Sequence, residues 1–374
     1  MNTFLRALPS SVTMVAVAAF ALMPTTATHA QLRVDPTPAT LIASIGDDGE
    51  VQLEMPVGVM RFPDGTIAVA DGARQSVSYF DSTGRRIRTA GRQGGGPGEF
   101  NGLSWAGKCG NESITAWDRS NNRLTVFDSR GELTGESSLR LEPAIASRTA
   151  FTTCARNGDM VFVSLPTQMD PGSPVQRAES VVTLLPAEGT ARQLGSGISS
   201  SEFVVLGGGG TPRPLGLTTT AALAGGRVYL GTGDSAAVLV YSVSGEAEGS
   251  IPMSGATRRV ARPGQYEAAV EQILQMVPSG AVPLVHSTLM GMPHVTRLPA
   301  YSSVHTDPHG NVWVARSAPG EATRLFAAGA DGRTIGHVDL PQQVHVWEVG
   351  DDYILGHYTN DMGEPFVASY RLHR

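Results

Sequence analysis

The chain has 374 residues, with 28 basic against 34 acidic side chains and a formal charge of −6, and Lys108 is its only lysine. No basic patch runs through it, which excludes the electrostatic footprint of a nucleic-acid binder. The 44 glycines and 24 prolines, with 17% charged residues, suit a turn-rich β protein with small surface loops.

In chain order, residues 1–30 read as an export signal. Arg6 is the positive n-region, residues 12–23 are a short apolar run, and Thr28-His29-Ala30 fits the small-x-small pattern before a cut at Gln31. The run is short for a bilayer span, and no cysteine follows it as a lipid attachment point. Residues 31–374 are therefore expected to form one exported domain, periplasmic or extracellular, with no membrane span.

A syntax then repeats. Phe62-Pro63-Asp64-Gly65 leads into TIAVAD, SVSYFD and a turn at 82–84. Residues 91–131 follow with a Gly-rich crossing loop, an apolar strand, a tight turn, a strand ending in Asp118, an Asn-Asn turn and the strand LTVFD. One four-stranded unit cannot bury its own faces, so repetition points to an array of them. Inner turns recur at Pro63-Asp64-Gly65, Gly110-Asn111-Glu112, Arg156-Asn157-Gly158-Asp159, Gly225-Gly226-Arg227, Asp307-Pro308-His309-Gly310 and Gly350-Asp351-Asp352, each before an apolar strand. The sixth unit lacks an outer strand, while Thr40–Gly49 matches the outer strand of the first. The sequence predicts an all-β fold, a six-bladed β-propeller of four-stranded antiparallel blades. Its ring is closed by the N-terminal strand, which leaves no free edge.

The blade syntax resembles the NHL repeat, and the chain resembles bacterial secreted six-bladed propellers of the NHL/TolB-like type. Gly91–Phe100, Asp118–Asp128 and Gly350–Leu372 carry the likeness. Blades three and four match loosely, lacking the FD-x-x-G signature and the Asn pair. The resemblance implies the fold and a binding role.

Three excursions depart from the bare ring: 166–177 at the middle turn of blade three, 196–216 between blades three and four, and the insertion 254–299 between blades four and five. Propeller connections alternate between faces, and these three open on the same one. Binding residues concentrate on loops held by a scaffold, so that face is the expected site. Within the insertion, residues 263–276 read as an amphipathic helix with Tyr266, Ala269, Val270, Ile273 and Leu274 on one stripe. It is expected to form a lid or wall at the mouth of the central channel. The residues expected to bind are Arg92, Asn101, Tyr266, His286, His294, Arg297, Tyr301 and His345.

Chemistry is harder to read. All histidines beyond the export signal lie between His286 and His373, without H-x-H or H-E-x-x-H spacing. Structural histidines are the default. A divalent metal held by His345, with His286 or His294 reaching down, is the alternative, and no other cofactor is expected. Gly94–Gly98 lacks the Lys-Ser/Thr of a phosphate loop and precedes a strand, and Gly207–Gly210 reads as a flexible loop. Asp71, Asp81, Asp118 and Asp128 read as turn caps. Cys109 and Cys154 stand at matching places in neighbouring blades, open to a disulfide or to two buried thiols.

Two functions stay open. One is a non-catalytic binding or scaffold protein that presents its insertion-rich face to a protein, peptide or glycan. The other is a metal-assisted hydrolase or lyase at the channel mouth. The first is favoured, because the inner strands offer mainly apolar residues such as Val57, Val59, Leu103, Trp105 and Val304, and no G-x-S-x-G is present.

Overall fold

The computed structural model describes residues 40–45, 52–110, 112–139, 149–164, 172–194, 200–206, 209–275, 277, 279–360 and 362–373. The export signal expected at 1–30 lies outside them.

The chain forms antiparallel four-stranded sheets arranged as a β-propeller. After β1 (Thr40–Ile45), blade one is β2 (Pro56–Arg61), β3 (Ile67–Asp71), β4 (Ser76–Phe80) and β5 (Arg86–Ala90). Blade two is β6 (Leu103–Gly107), β7 (Ser113–Asp118), β8 (Arg123–Asp128) and β9 (Leu133–Ser138). Blade three begins with β10 (Thr149–Cys154) and β11 (Met160–Ser164). The chain leaves it for β12 (Val175–Glu179), then returns as β13 (Val181–Leu185) and β14 (Arg192–Gln193). Next come β15 (Ser200–Leu206) and β16 (Gly209–Pro212), then blade four: β17 (Thr220–Ala224), β18 (Arg227–Gly231), β19 (Ala237–Ser242) and β20 (Ala247–Pro252). An insertion holds β21 (Arg259–Val260), α1 (Gln265–Leu274), α2 (Val282–Met290) and β22 (Arg297–Leu298). Blade five is β23 (Ser303–Thr306), β24 (Val312–Arg316), β25 (Arg324–Ala328) and β26 (Thr334–Asp339). Finally β27 (His345–Val349), β28 (Tyr353–Thr359) and β29 (Pro365–Arg371) form a sheet with β1 at its outer edge, Ile45 opposite Val367.

The first strands of successive blades are neighbours, in the cycle β2, β6, β10, β17, β23, β27 and back to β2. Second strands are covered on both faces by adjacent blades, which is why β3 (IAVAD) and β11 (MVFVS) are buried throughout. Outer strands face water, and four of the five residues of β5 (RIRTA) are exposed. The core is divided accordingly into clusters between blades. Val59, Val69 and Phe80 of blade one meet Leu355 and Val367. Trp117 of blade two meets Phe162 of blade three edge-on, with ring centroids 5.5 Å apart. At the hub the strands come very close: a Cβ on Gly58 would lie 2.3 Å from the Ala106 carbonyl oxygen, so only glycine fits there.

The excursions are structured where they fall among the described residues; 166–171, 196–199 and 207–208 lie outside these. Strands β12, β15 and β16 make a separate three-stranded sheet, and β21 pairs with β22. Gly209 and Gly210, read as flexible loop, belong to β16. The expected helix runs from Gln265 to Leu274 after Gly264, whose φ of 82° marks the break before it. Its stripe of Tyr266, Val270 and Leu274 is buried against Leu289 of α2, Met292, Val295 and Val204 of β15. The inserted elements thus bury one another's apolar faces, instead of the helix closing directly on channel side chains.

Candidate functional site

Because each first strand begins at a blade-to-blade connection and ends at an inner turn, all six run the same way along the axis. The insertions therefore sit where these strands begin, and the turns at 155–159, 224–227 and 307–310 sit where they end. Between the two ends lies a cavity of about 910 Å³, lined by first-strand residues of all six blades.

Its charged lining residues lie at the turn end: Lys108, Arg156, Asp159, Arg227, Asp307 and Glu348. The Lys108 ammonium donates to Glu348 Oε1 at 2.5 Å and to the Arg61 carbonyl at 2.8 Å. Glu348 also accepts from the Arg61 N–H at 3.0 Å and the Tyr353 hydroxyl at 2.8 Å, a partly buried knot that ties blades one, two and six together. Arg227 pairs with Glu248 at 2.6 Å, and Asp307 accepts from the N–H groups of His309 and Asn311 and from the Trp313 indole.

The starting end is different. It carries hydroxyls (Thr218, Thr220, Ser302, Ser303), and three histidines form a group beside it, of which His305 and His345 line the cavity. The Ser303 hydroxyl lies 2.8 Å from His305 Nε2. The Trp347 indole donates to His357 Nδ1 at 2.8 Å, which places the remaining proton of a neutral His357 on Nε2. His345 sits between them, 4.7 Å from the Trp347 ring and 5.1 Å from the His357 ring by centroids. Burial first, and the neighbouring His345 second, push His305 and His357 down to about 3. Enclosure by protein pushes His345 down to about 4. That side chain is nevertheless exposed to the void. All three imidazoles are neutral at pH 7.

Of the expected binding residues, only His345 lines this cavity. Tyr266 and Tyr301 are buried, 3% and 2% exposed, and their hydroxyls donate to the Leu289 and Ala237 carbonyls at 3.0 and 2.6 Å. His294 stacks on Tyr266 at 4.3 Å and lies 3.6 Å from Glu267, while His286 lies 3.8 Å from Glu271. Both are held on the helical insertion and do not line the cavity with His345. Arg92 pairs with Glu99 at 2.7 Å, inside the Gly-rich crossing loop that Glu99 also braces through the Gly96 N–H. Asn101 gives its N–H to Asp118 at 2.7 Å, and Arg297 is exposed on β22. A disulfide joins Cys109 to Cys154, with Cα atoms 5.4 Å apart, between the ends of the first strands of blades two and three. Among the described residues no group of three His, Cys, Asp or Glu is placed to hold a metal ion.

His305 and His357 were visible in sequence only as two more strand histidines. Their grouping depends on β23, β27 and β28 being neighbours across a blade interface, which no local pattern encodes. Lys108 offered a signal in being the chain's one lysine, and Ser303 offered none.

A family model described as a 6-bladed beta-propeller matches residues 52–156. No curated protein matches the chain. A solved member of the DUF4221 family from Bacteroides vulgatus ATCC 8482 is similar, with a TM-score of 0.53 at 11% identity over 92% of this chain and 99% of that one. The calcium-binding protein regucalcin from Agrobacterium tumefaciens str. C58 gives a TM-score of 0.47 at 14% identity, over 89% and 96% of the two chains. A gluconolactonase from Xanthomonas campestris gives 0.44 at 12%, over 91% and 97%. At 11% identity the first of these speaks for the fold alone.

Proposed function

We propose that the protein is an exported six-bladed propeller of the NHL/TolB-like type that binds a small ligand in its central channel and performs no chemistry on it. The cavity of about 910 Å³ carries this reading. It falls in the size range of sites that enclose drug-sized molecules, and it combines apolar walls with a few convergent polar groups. Export rests on the pattern of residues 1–30, and the pairing of β1 with β29 supports the N-terminal strand as the ring's closure.

The insertion-bearing face is the weaker candidate. Arg92 and Arg297 are exposed there for a protein, peptide or glycan, but Tyr266, Tyr301 and His294 are engaged in internal contacts. A hydrolase or lyase reading has one observation in its favour, the contact between Ser303 and His305. An imidazole held near 3 is a poor general base at neutral pH, so that contact supports binding better than catalysis. A stoichiometric ion in the dialysed protein, seen by atomic emission, would move the reading to metal-assisted chemistry.

The test is a fluorescence titration with the uncharged probe N-phenyl-1-naphthylamine, on the protein and on a Thr153→Trp variant that fills the channel. Saturable binding at one site per chain, at least tenfold weaker in a variant with unchanged melting, is the expected result. Equal binding by both proteins would overturn the assignment.

A further inference from the structure

Resting on that reading, we propose that the channel's ligand is uncharged and is recognised through a hydrogen bond to the free imidazole of His345, beside the Ser303–His305 pair.

Three observations converge on this. First, the histidines are not equivalent. His305 has Ser303 and His357 has Trp347, but the His345 ring nitrogens have no hydrogen-bond partner among the described residues. Two rings flank it, and it is exposed to the cavity. Its ring nitrogens are therefore open to a ligand that replaces channel water. A neutral imidazole offers one donor and one acceptor at fixed positions.

Second, the charges are in the wrong place for an ion. The charged lining residues are at the turn end, where Lys108 with Glu348 and Arg227 with Glu248 already neutralise each other and His309 lies 3.1 Å from Asp351. Arg156 and Asp159, of opposite sign, share one turn there. At the starting end the polar side chains facing the void are hydroxyls and imidazoles. An ion bound there would lose water and meet no counter-charge, which is strongly unfavourable. The depressed basicity of the three histidines agrees, since none supplies a cation at neutral pH.

Third, Trp105 and Trp347 add aromatic surface from blades two and six. The wall therefore suits a ligand with an apolar or aromatic body and a neutral hydrogen-bonding group.

Two probes share one scaffold and differ in charge. N-phenyl-1-naphthylamine is neutral with a single N–H donor, and 8-anilino-1-naphthalenesulfonate adds a sulfonate. At pH 7.5 the neutral probe is expected to bind at least tenfold more tightly in the mode that Thr153→Trp abolishes. His345→Phe is expected to weaken it about tenfold without moving Tm, and His345→Gln to recover part of the loss. Channel binding of the sulfonate as tight as that of the neutral probe would overturn the ligand class while leaving channel binding intact. Unchanged affinity in His345→Phe would overturn the recognition role. Failure of both probes to bind in the Thr153→Trp-sensitive mode would overturn channel binding itself.

Discussion

Asp118 shows how much one side chain does in this fold. It ends β7, is fully buried, and accepts from the Asn101 N–H at 2.7 Å, the Asn121 N–H at 3.0 Å and the Asn121 amide at 2.7 Å. The first of these contacts fixes the segment that starts the blade's inner strand. Asp71 repeats the arrangement in blade one with the N–H groups of Glu54, Met55, Ala73 and Arg74. Asp118→Ala leaves buried donors unpaired and is expected to cost about 3 kcal/mol, with Asp118→Asn costing less, read from denaturant midpoints. A loss below about 1 kcal/mol would reduce the residue to a surface turn former. The histidine group sets a different expectation. His305 and His357 have folded pKa values near 3, below the ordinary 6.5, so the unfolded chain binds more protons between those values. Their neutral forms therefore support the fold fully above about pH 6.5, and the support drains away as pH falls toward 3. Melting temperature should drop steadily from pH 7 to 4.5. His357→Gln, which keeps an acceptor for Trp347, should lose less over that interval than the parent. Parallel pH profiles would refute this account.

At the scale of elements, the disulfide staples two first strands whose cysteines are 45 residues apart in sequence. Constraining a loop of that length removes unfolded-state entropy worth roughly 3–4 kcal/mol in the chain-entropy model. Reduction with dithiothreitol is accordingly expected to lower Tm by several degrees in a calorimetric scan, and an unmoved transition would show that the blade interface alone sets stability there. The elements of the ring were largely legible in sequence. TIAVAD, SITAWD and MVFVSL follow turns with Gly or Asp, and their apolar runs report burial on both faces. The excursions were legible only where one face is buried regularly, as in α1. Helix α2 buries Leu289 fully and leaves Leu284 exposed, so no stripe announces it. Strands β12, β15 and β16 pair with each other and not with a blade, so the repeat that revealed the others passes over them. The site was least legible, because it is assembled at the hub from the first strands of six blades, which lie far apart in sequence.

The whole molecule depends on a cycle in which every blade packs on two neighbours, with apolar clusters between them and no separate centre. In such a ring the weakest interface sets cooperativity. The sheet that holds β1 against β29 is the natural place to look, since these paired strands lie far apart in sequence. Their ladder pairs five positions, from Thr40 with Arg371 to Ile45 with Val367. At about 1 kcal/mol for each net hydrogen bond, removing it withdraws about 5 kcal/mol and bares the edge of β29 to other chains. Deleting residues 31–50 from a chain that begins at Gln31 is therefore expected to move the single thermal transition down by roughly 10 °C, since 1 kcal/mol corresponds to about 2–4 °C in domains of 150–250 residues. Concentration-dependent aggregation should accompany the shift. A transition that splits, with most of the protein melting as before, would mean that the blades are independent enough to tolerate an open ring. An unchanged transition would mean that β1 is an ornament on a ring already closed by packing between β2 and β27.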